Sequence, residues 1–71
     1  MKLQYYPETD SLYTEMKPEP GVETREVAEG VNVDVDPKGE VVGFEIDCAA
    51  NRFDLSQLET IALPLRRTVA A

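Results

Sequence analysis

Val31-Asn32-Val33-Asp34-Val35-Asp36, then Pro37-Lys38-Gly39-Glu40, then Val41-Val42-Gly43-Phe44-Glu45-Ile46, is the stretch that decides the fold. Three β-branched residues alternate with three polar ones, which is the period-two signature of a half-buried strand. Proline and glycine in the next four residues mark a turn, and the alternation resumes with Val42, Phe44, Ile46 and Cys48 on one face. The unit reads as an antiparallel hairpin. For Val31, Val33 and Val35 to share a face with Val42, Phe44 and Ile46, the loop needs an even number of residues, with Val35 opposite Val42. A three-residue loop pairing Asp36 with Glu40 would mix the two faces. The even loop is therefore expected.

Upstream, Glu29-Gly30 reads as a tight turn, and residues 22–28 read as a strand of weak period. Lys17-Pro18-Glu19-Pro20-Gly21 forbids regular structure, since two prolines remove backbone donors. Residues 2–6 and 11–16 make a second hairpin around the turn Pro7-Glu8-Thr9-Asp10. Downstream, Asp54 and Gln57 suit a helix N-terminus, with Phe53 and Leu58 as a hydrophobic staple. Leu55, Leu58, Ile61 and Ala62 would then line one side of a helix over about 55–62, ended by Pro64. Residues 65–71 read as a frayed tail, or one that orders only against a partner. The expected fold is mainly β (α+β): one domain, 1–71, a small antiparallel β-meander of about five strands over 2–48 and one short C-terminal helix.

So short a chain buries only about 60% of the surface it exposes when unfolded, and usually needs a staple. Cys48 is the only cysteine and histidine is absent, so no internal disulfide and no common zinc set is available. The same absence excludes Ser-His-Asp and Cys-His catalysis. Self-association, as a dimer, is the remaining expectation. With 14 acidic against 7 basic residues and a net charge of −7, the chain is unsuited to binding nucleic acid directly and suited to a basic protein partner. Arg66 and Arg67 lie in the tail, so residues through Leu65 hold every acid and all the other bases. No apolar run is long enough to span a bilayer. The polar start and lone cysteine point to the cytoplasm.

Glu8 and Asp10 are a candidate carboxylate pair beside Tyr5 and Tyr13, although turn chemistry at Pro7-Glu8-Thr9-Asp10 alone accounts for these residue types. Asp34, Asp36, Glu45 and Asp47 fall on the face opposite the valines and form an acidic surface, with Glu40 in the loop. No calcium-loop spacing accompanies them, so a solvated or partner-facing surface is expected rather than a metal site. Cys48, with Asp47 beside it and no positive neighbour, reads as a buried structural thiol. The four glycines are isolated and form no phosphate loop. No catalytic residue, metal ligand or cofactor is assigned.

Tyr5-x-Pro7-Glu8-x-Asp10-x-Leu12-Tyr13 resembles the start of a family of short bacterial and archaeal proteins catalogued as domain of unknown function 2283. Glu29-Gly30-Val31 to Asp36, the Gly39 turn, and Val41-Val42-Gly43-Phe44-Glu45-Ile46 resemble its middle, and the likeness covers roughly residues 2–50. The chain departs from that family at Tyr6, where a polar residue is common, and in the spacer from Lys17 to Gly21. The resemblance implies a small β-rich cytoplasmic protein, with no catalytic residues to carry over and an antitoxin-like role. Two functions from different classes follow. One is a non-enzymatic, dimeric interaction module engaging a basic partner such as a toxin-like ribonuclease. The other is a small-ligand-binding or weakly catalytic protein with a cleft of Tyr5, Tyr13, Glu8 and Asp10. A purely structural homo-oligomer is the plainer third.

Overall fold

The computed structural model describes residues 1–67 and 69. Five strands form one antiparallel sheet: β1 (Lys2–Tyr6), β2 (Ser11–Glu15), β3 (Glu23–Ala28), β4 (Val31–Val35) and β5 (Val41–Asp47). They are followed by a single helical turn, α1 (Ala49–Arg52). The strand order is β1-β2-β5-β4-β3, so the sheet is not a simple meander. Two units, the β1–β2 hairpin and the β3–β4–β5 meander, are joined side by side, with β5 inserted next to β2. Residues 16–22 carry the chain from one unit to the far edge of the other. Their prolines keep them out of the sheet, and Met16 N–H and Val22 N–H donate to the Val42 and Val35 carbonyls at 2.8 Å each.

The β4–β5 turn corrects the expected register. Its loop has three residues: Asp36 N–H donates to Glu40 O and Gly39 N–H to Asp36 O, both at 2.9 Å, with Gly39 at φ 82°. A positive φ of this kind is the reason the position is glycine. Val35 thus stands opposite Val41, not Val42, yet the faces do not mix. Val42 is an extra residue, a β-bulge, after which Asp34 pairs with Gly43, Val33 with Phe44 and Val31 with Ile46. The bulge restores the odd register that the hydrophobic pattern requires.

Asp36 is what selects the short loop. The carboxylate accepts from Lys38 N–H and Glu40 N–H at 2.9 Å each, and from Lys17 Nζ at 3.2 Å. Lys17 also donates to Glu40 at 2.9 Å, which pins the 16–22 crossing to the turn. Asp36 is therefore not part of an outward acidic face. It is 6% exposed and belongs to the turn.

α1 closes the opposite end of the sheet. Asp10, in the left-handed region at φ 51°, accepts from Ala49 N–H through its carbonyl (3.0 Å) and from Ala50 N–H through its carboxylate (3.0 Å). Arg52 reaches back to the Glu29 carbonyl at 2.8 Å. Cys48 adopts φ 55°, which breaks the strand alternation at that residue and turns the thiol outward. The cysteine is exposed, not buried as expected.

The expected helix over 55–62 is absent. Asp54 instead accepts from Ser56 N–H in a local turn, and Leu58 and Ile61 are 74% and 78% exposed. Eight residues without a packed face fall well short of the roughly 12–15 that an isolated helix needs in water. Phe53 and Leu58 accordingly form no helical staple. Residues 53–67 are exposed and irregular, and Thr68, Ala70 and Ala71 of the expected tail lie outside the described residues. Buried apolar side chains are few among those described: Val35, Val42 and Ala49, with Thr14 beside them. No helix is long and apolar enough to cross a membrane among the described residues.

The backbone N–H of Glu40, with Lys17 and Lys38 N–H helping, holds the Asp36 carboxyl below its ordinary value despite partial desolvation. A carboxylate shifted down in the folded state stabilises it above the unfolded pKa of about 3.9 and loses that contribution as pH falls through the folded value. Asp36→Asn should lower the urea midpoint at neutral pH, and the gap to the parent protein should narrow in acid. Urea titrations at pH 7 and below pH 3 check this; an equal gap at both would sink it.

Candidate functional site

The registers fix which residues share a face. Leu3 and Tyr5 of β1 stand opposite Thr14 and Leu12 of β2, which in turn face Phe44 and Ile46, then Val33 and Val31. Arg25 and Glu23 of β3 complete this side, opposite Val33 and Val35, and their side chains form an ion pair at 3.1 Å. It is an apolar face whose two charges cancel. The other side carries Glu15, Glu26, Asp34, Glu45 and Asp47 against Lys2, which pairs with Glu15 at 3.7 Å. Strand alternation has placed every strand acid except Glu23 on one face.

A chain of polar side chains crosses that acidic face. Tyr13 of β2 sits opposite Glu45, but its ring leans along β5 over Gly43 and its hydroxyl reaches Asp34 Oδ2 of β4 at 3.2 Å. Thr24 of β3 donates to the other oxygen of Asp34 at 2.7 Å. One carboxylate thus links three strands, β2, β4 and β3, with the Tyr13 ring passing over the fourth, β5. Gly43 makes this possible, because a Cβ there would run into the Tyr13 hydroxyl and ring, and would lie 2.9 Å from the Thr14 carbonyl. An isolated glycine inside a strand is the sequence signal for such a close approach, and it is the one that could have revealed Tyr13–Gly43–Asp34 in advance. Beside Tyr13, a shallow hollow of about 340 Å³ is lined by Tyr6, Thr9, Ser11, Tyr13 and Glu45.

Electrostatics follow from these contacts. Partial burial, then the Asp34 carboxylate, raises the Tyr13 phenol. Burial and the neighbouring Asp47 raise Glu45. On the apolar side, the Tyr5 hydroxyl donates to Asp10 at 2.7 Å, which raises Tyr5 and, together with Ala50 N–H, lowers Asp10. Neither phenol is shifted toward the acidity that catalysis near neutral pH needs.

The sequence candidates separate accordingly. Asp34, Glu45 and Asp47 share the acidic face, whereas Asp36 sits in the turn. Tyr5 and Tyr13 lie on opposite faces, since Tyr5 pairs with Leu12 and Tyr13 with Gln4. Pro7 and Glu8 stay in the exposed turn, and Glu8 is not bonded to Asp10 among the described residues. The single cleft of Tyr5, Tyr13, Glu8 and Asp10 does not form. No group of three or more His, Cys, Asp or Glu side chains is gathered as a metal set among the described residues.

One antiparallel sheet, apolar on one side and acidic on the other, defines the class: a small, mainly β, single-layer protein. A family model described as "Protein of unknown function (DUF2283)" matches residues 2–49, and the chain belongs to that family. The matched region covers all five strands and ends at the first residue of α1, so the irregular residues 53–67 lie beyond it. No curated protein and no solved structure matches the chain.

Gly43→Ala should displace the Tyr13 ring and cost about 1–3 kcal/mol, as added methyl groups in packed positions do. Tyr13→Phe, which keeps the packing and loses one partly exposed hydrogen bond, should cost less than about 1.5 kcal/mol. Urea unfolding ranks the two. Spectrophotometric titration should show late ionisation from both Tyr13 and Tyr5, so that Tyr13→Phe and Tyr5→Phe each remove part of it and neither alone abolishes it.

Proposed function

We propose that the protein is a non-enzymatic interaction module whose acidic sheet face engages a basic protein partner. The observation that carries this reading is the segregation of Glu15, Glu26, Asp34, Glu45 and Asp47 on one rigid face. Acids spread over both faces would only solubilise the chain. Acids on one face create a directional field that steers a positively charged partner and fixes its orientation. Glu45 is raised first by partial burial and then by Asp47 and Asp34, and a cationic group brought to this face would relieve the second, repulsive part. The bonded, upward-shifted phenols favour binding over acid–base chemistry. Inhibition of a basic, toxin-like ribonuclease by an antitoxin is one form such a pairing takes.

The test is parallel affinity purification from the native host of the parent protein and of a Glu15→Gln, Glu45→Gln, Asp47→Asn variant. A basic protein retained by the parent at low salt, released at high salt and missing from the variant is the expected result. Equal retention by both proteins, or recovery of the parent alone, would overturn the reading. Since all three substitutions lie on strand residues directed away from the apolar face, circular dichroism should be unchanged.

A further inference from the structure

The apolar face raises a separate question, because it is only partly covered. The chain exposes 5939 Å² at a mass of 7.9 kDa, whereas a compact monomer of that mass exposes about 4,400 Å², so about 1,500 Å² per chain is in excess. A standard interface removes about 800 Å² per partner, and obligate homodimers remove roughly 1,000–2,500 Å². The irregular residues 53–67 and the open face share this excess, and within it there is room for an interface of standard size.

Its chemistry is equally specific. Leu3 and Tyr5 are 51% and 41% exposed, and Phe44 and Ile46 in the middle of the sheet are only half-buried. Leu55 and Leu58 of the irregular segment border a groove of about 480 Å³ whose floor is Leu3, Tyr5 and Leu12. Elsewhere on the face Thr14 and Val35 are buried, whereas Val31, Val33, Phe44 and Ile46 stay partly exposed. For a chain of net charge −7, an encounter between copies is repulsive unless the meeting surfaces are neutral. Across the strands this face meets the condition: Glu23 and Arg25 cancel each other, and Glu15, Glu26, Asp34, Glu45 and Asp47 lie on the far side. Its remaining acids are Asp54 in the groove lining and Asp10, bonded to Tyr5, at the end of the sheet.

We propose that this face is the interface with a second copy of the chain, the two sheets stacking about 10 Å apart with the groove beside Leu3 and Leu58 at the rim. Both acidic faces then point outward, free for other contacts. The proposal stands independently of the basic-partner reading, since it uses the opposite face.

Sedimentation velocity of the full chain over a micromolar dilution series tests it. The expected result is a species of two chains, with Leu3→Glu and Leu58→Glu each raising the dissociation constant at least about tenfold. Leu58 lies outside the sheet, so its substitution leaves the fold intact even if Leu3→Glu disturbs it. Glu45→Gln, on the acidic face, should leave the dimer unchanged. A single-chain species at every concentration would overturn the proposal, as would a dimer indifferent to both leucine substitutions or one lost on Glu45→Gln.

Discussion

β5 has a hydrogen-bonded neighbour on each side, and every long-range element of the sheet reaches the others through it. The β1–β2 hairpin and the β3–β4 hairpin are local structures, formed by tight turns between adjacent segments. Neither would be stable alone, since an isolated two-stranded hairpin is marginal in water. β5 converts them into one sheet by pairing with β2 and β4 at once. The price is a crossing from β2 to the distant edge strand β3, and Lys17 holds that crossing in place by donating to both Asp36 and Glu40. The two ends of the sheet are secured differently. An ionic cluster at Asp36 governs one, and Asp10, bonded to Tyr5, Ala49 and Ala50, governs the other.

In a single-layer sheet, two faces must solve two problems with one alternating pattern. Every second residue is committed to a surface that needs covering, and every other one to a surface that needs water. Here every strand acid but Glu23 falls in the second set, and a polar relay from Tyr13 through Asp34 to Thr24 crosses it. The first set remains short of cover because, among the described residues, those after Arg52 contribute no regular element to pack on it. Smallness and acidity, which look like separate constraints in the composition, become the two sides of one sheet.

Strand positions were legible from local pattern because each strand's side chains alternate, and alternation does not depend on the neighbours. The valines at 31, 33 and 35 pointed correctly to the face they share with Phe44 and Ile46. Strand order was harder to read, since nothing local in Ser11–Glu15 indicates that its partner lies some thirty residues ahead at Val41–Asp47. The helix over 55–62 illustrates the opposite error: cap and staple residues were present, but a helix this short needs a well-packed face, and Leu58 and Ile61 remain largely exposed. Cys48 was misplaced because a left-handed backbone angle on a non-glycine residue ends an alternation without announcing itself. The Tyr13–Asp34 contact was encoded in Gly43, an absence of side chain rather than a presence.

The β4–β5 turn and the Val42 bulge have a joint consequence for how this chain can change over time. The loop is one residue shorter than the pattern of faces requires, and the bulge is one residue longer, so the two irregularities cancel. Insertion of a residue into the turn alone, or deletion of Val42 alone, would send Phe44 and Ile46 to the acidic side and Glu45 and Asp47 to the apolar one. Only a paired insertion and deletion preserves both surfaces. Length variation in homologous chains should therefore be correlated across these few residues, with a longer turn accompanied by a straight strand.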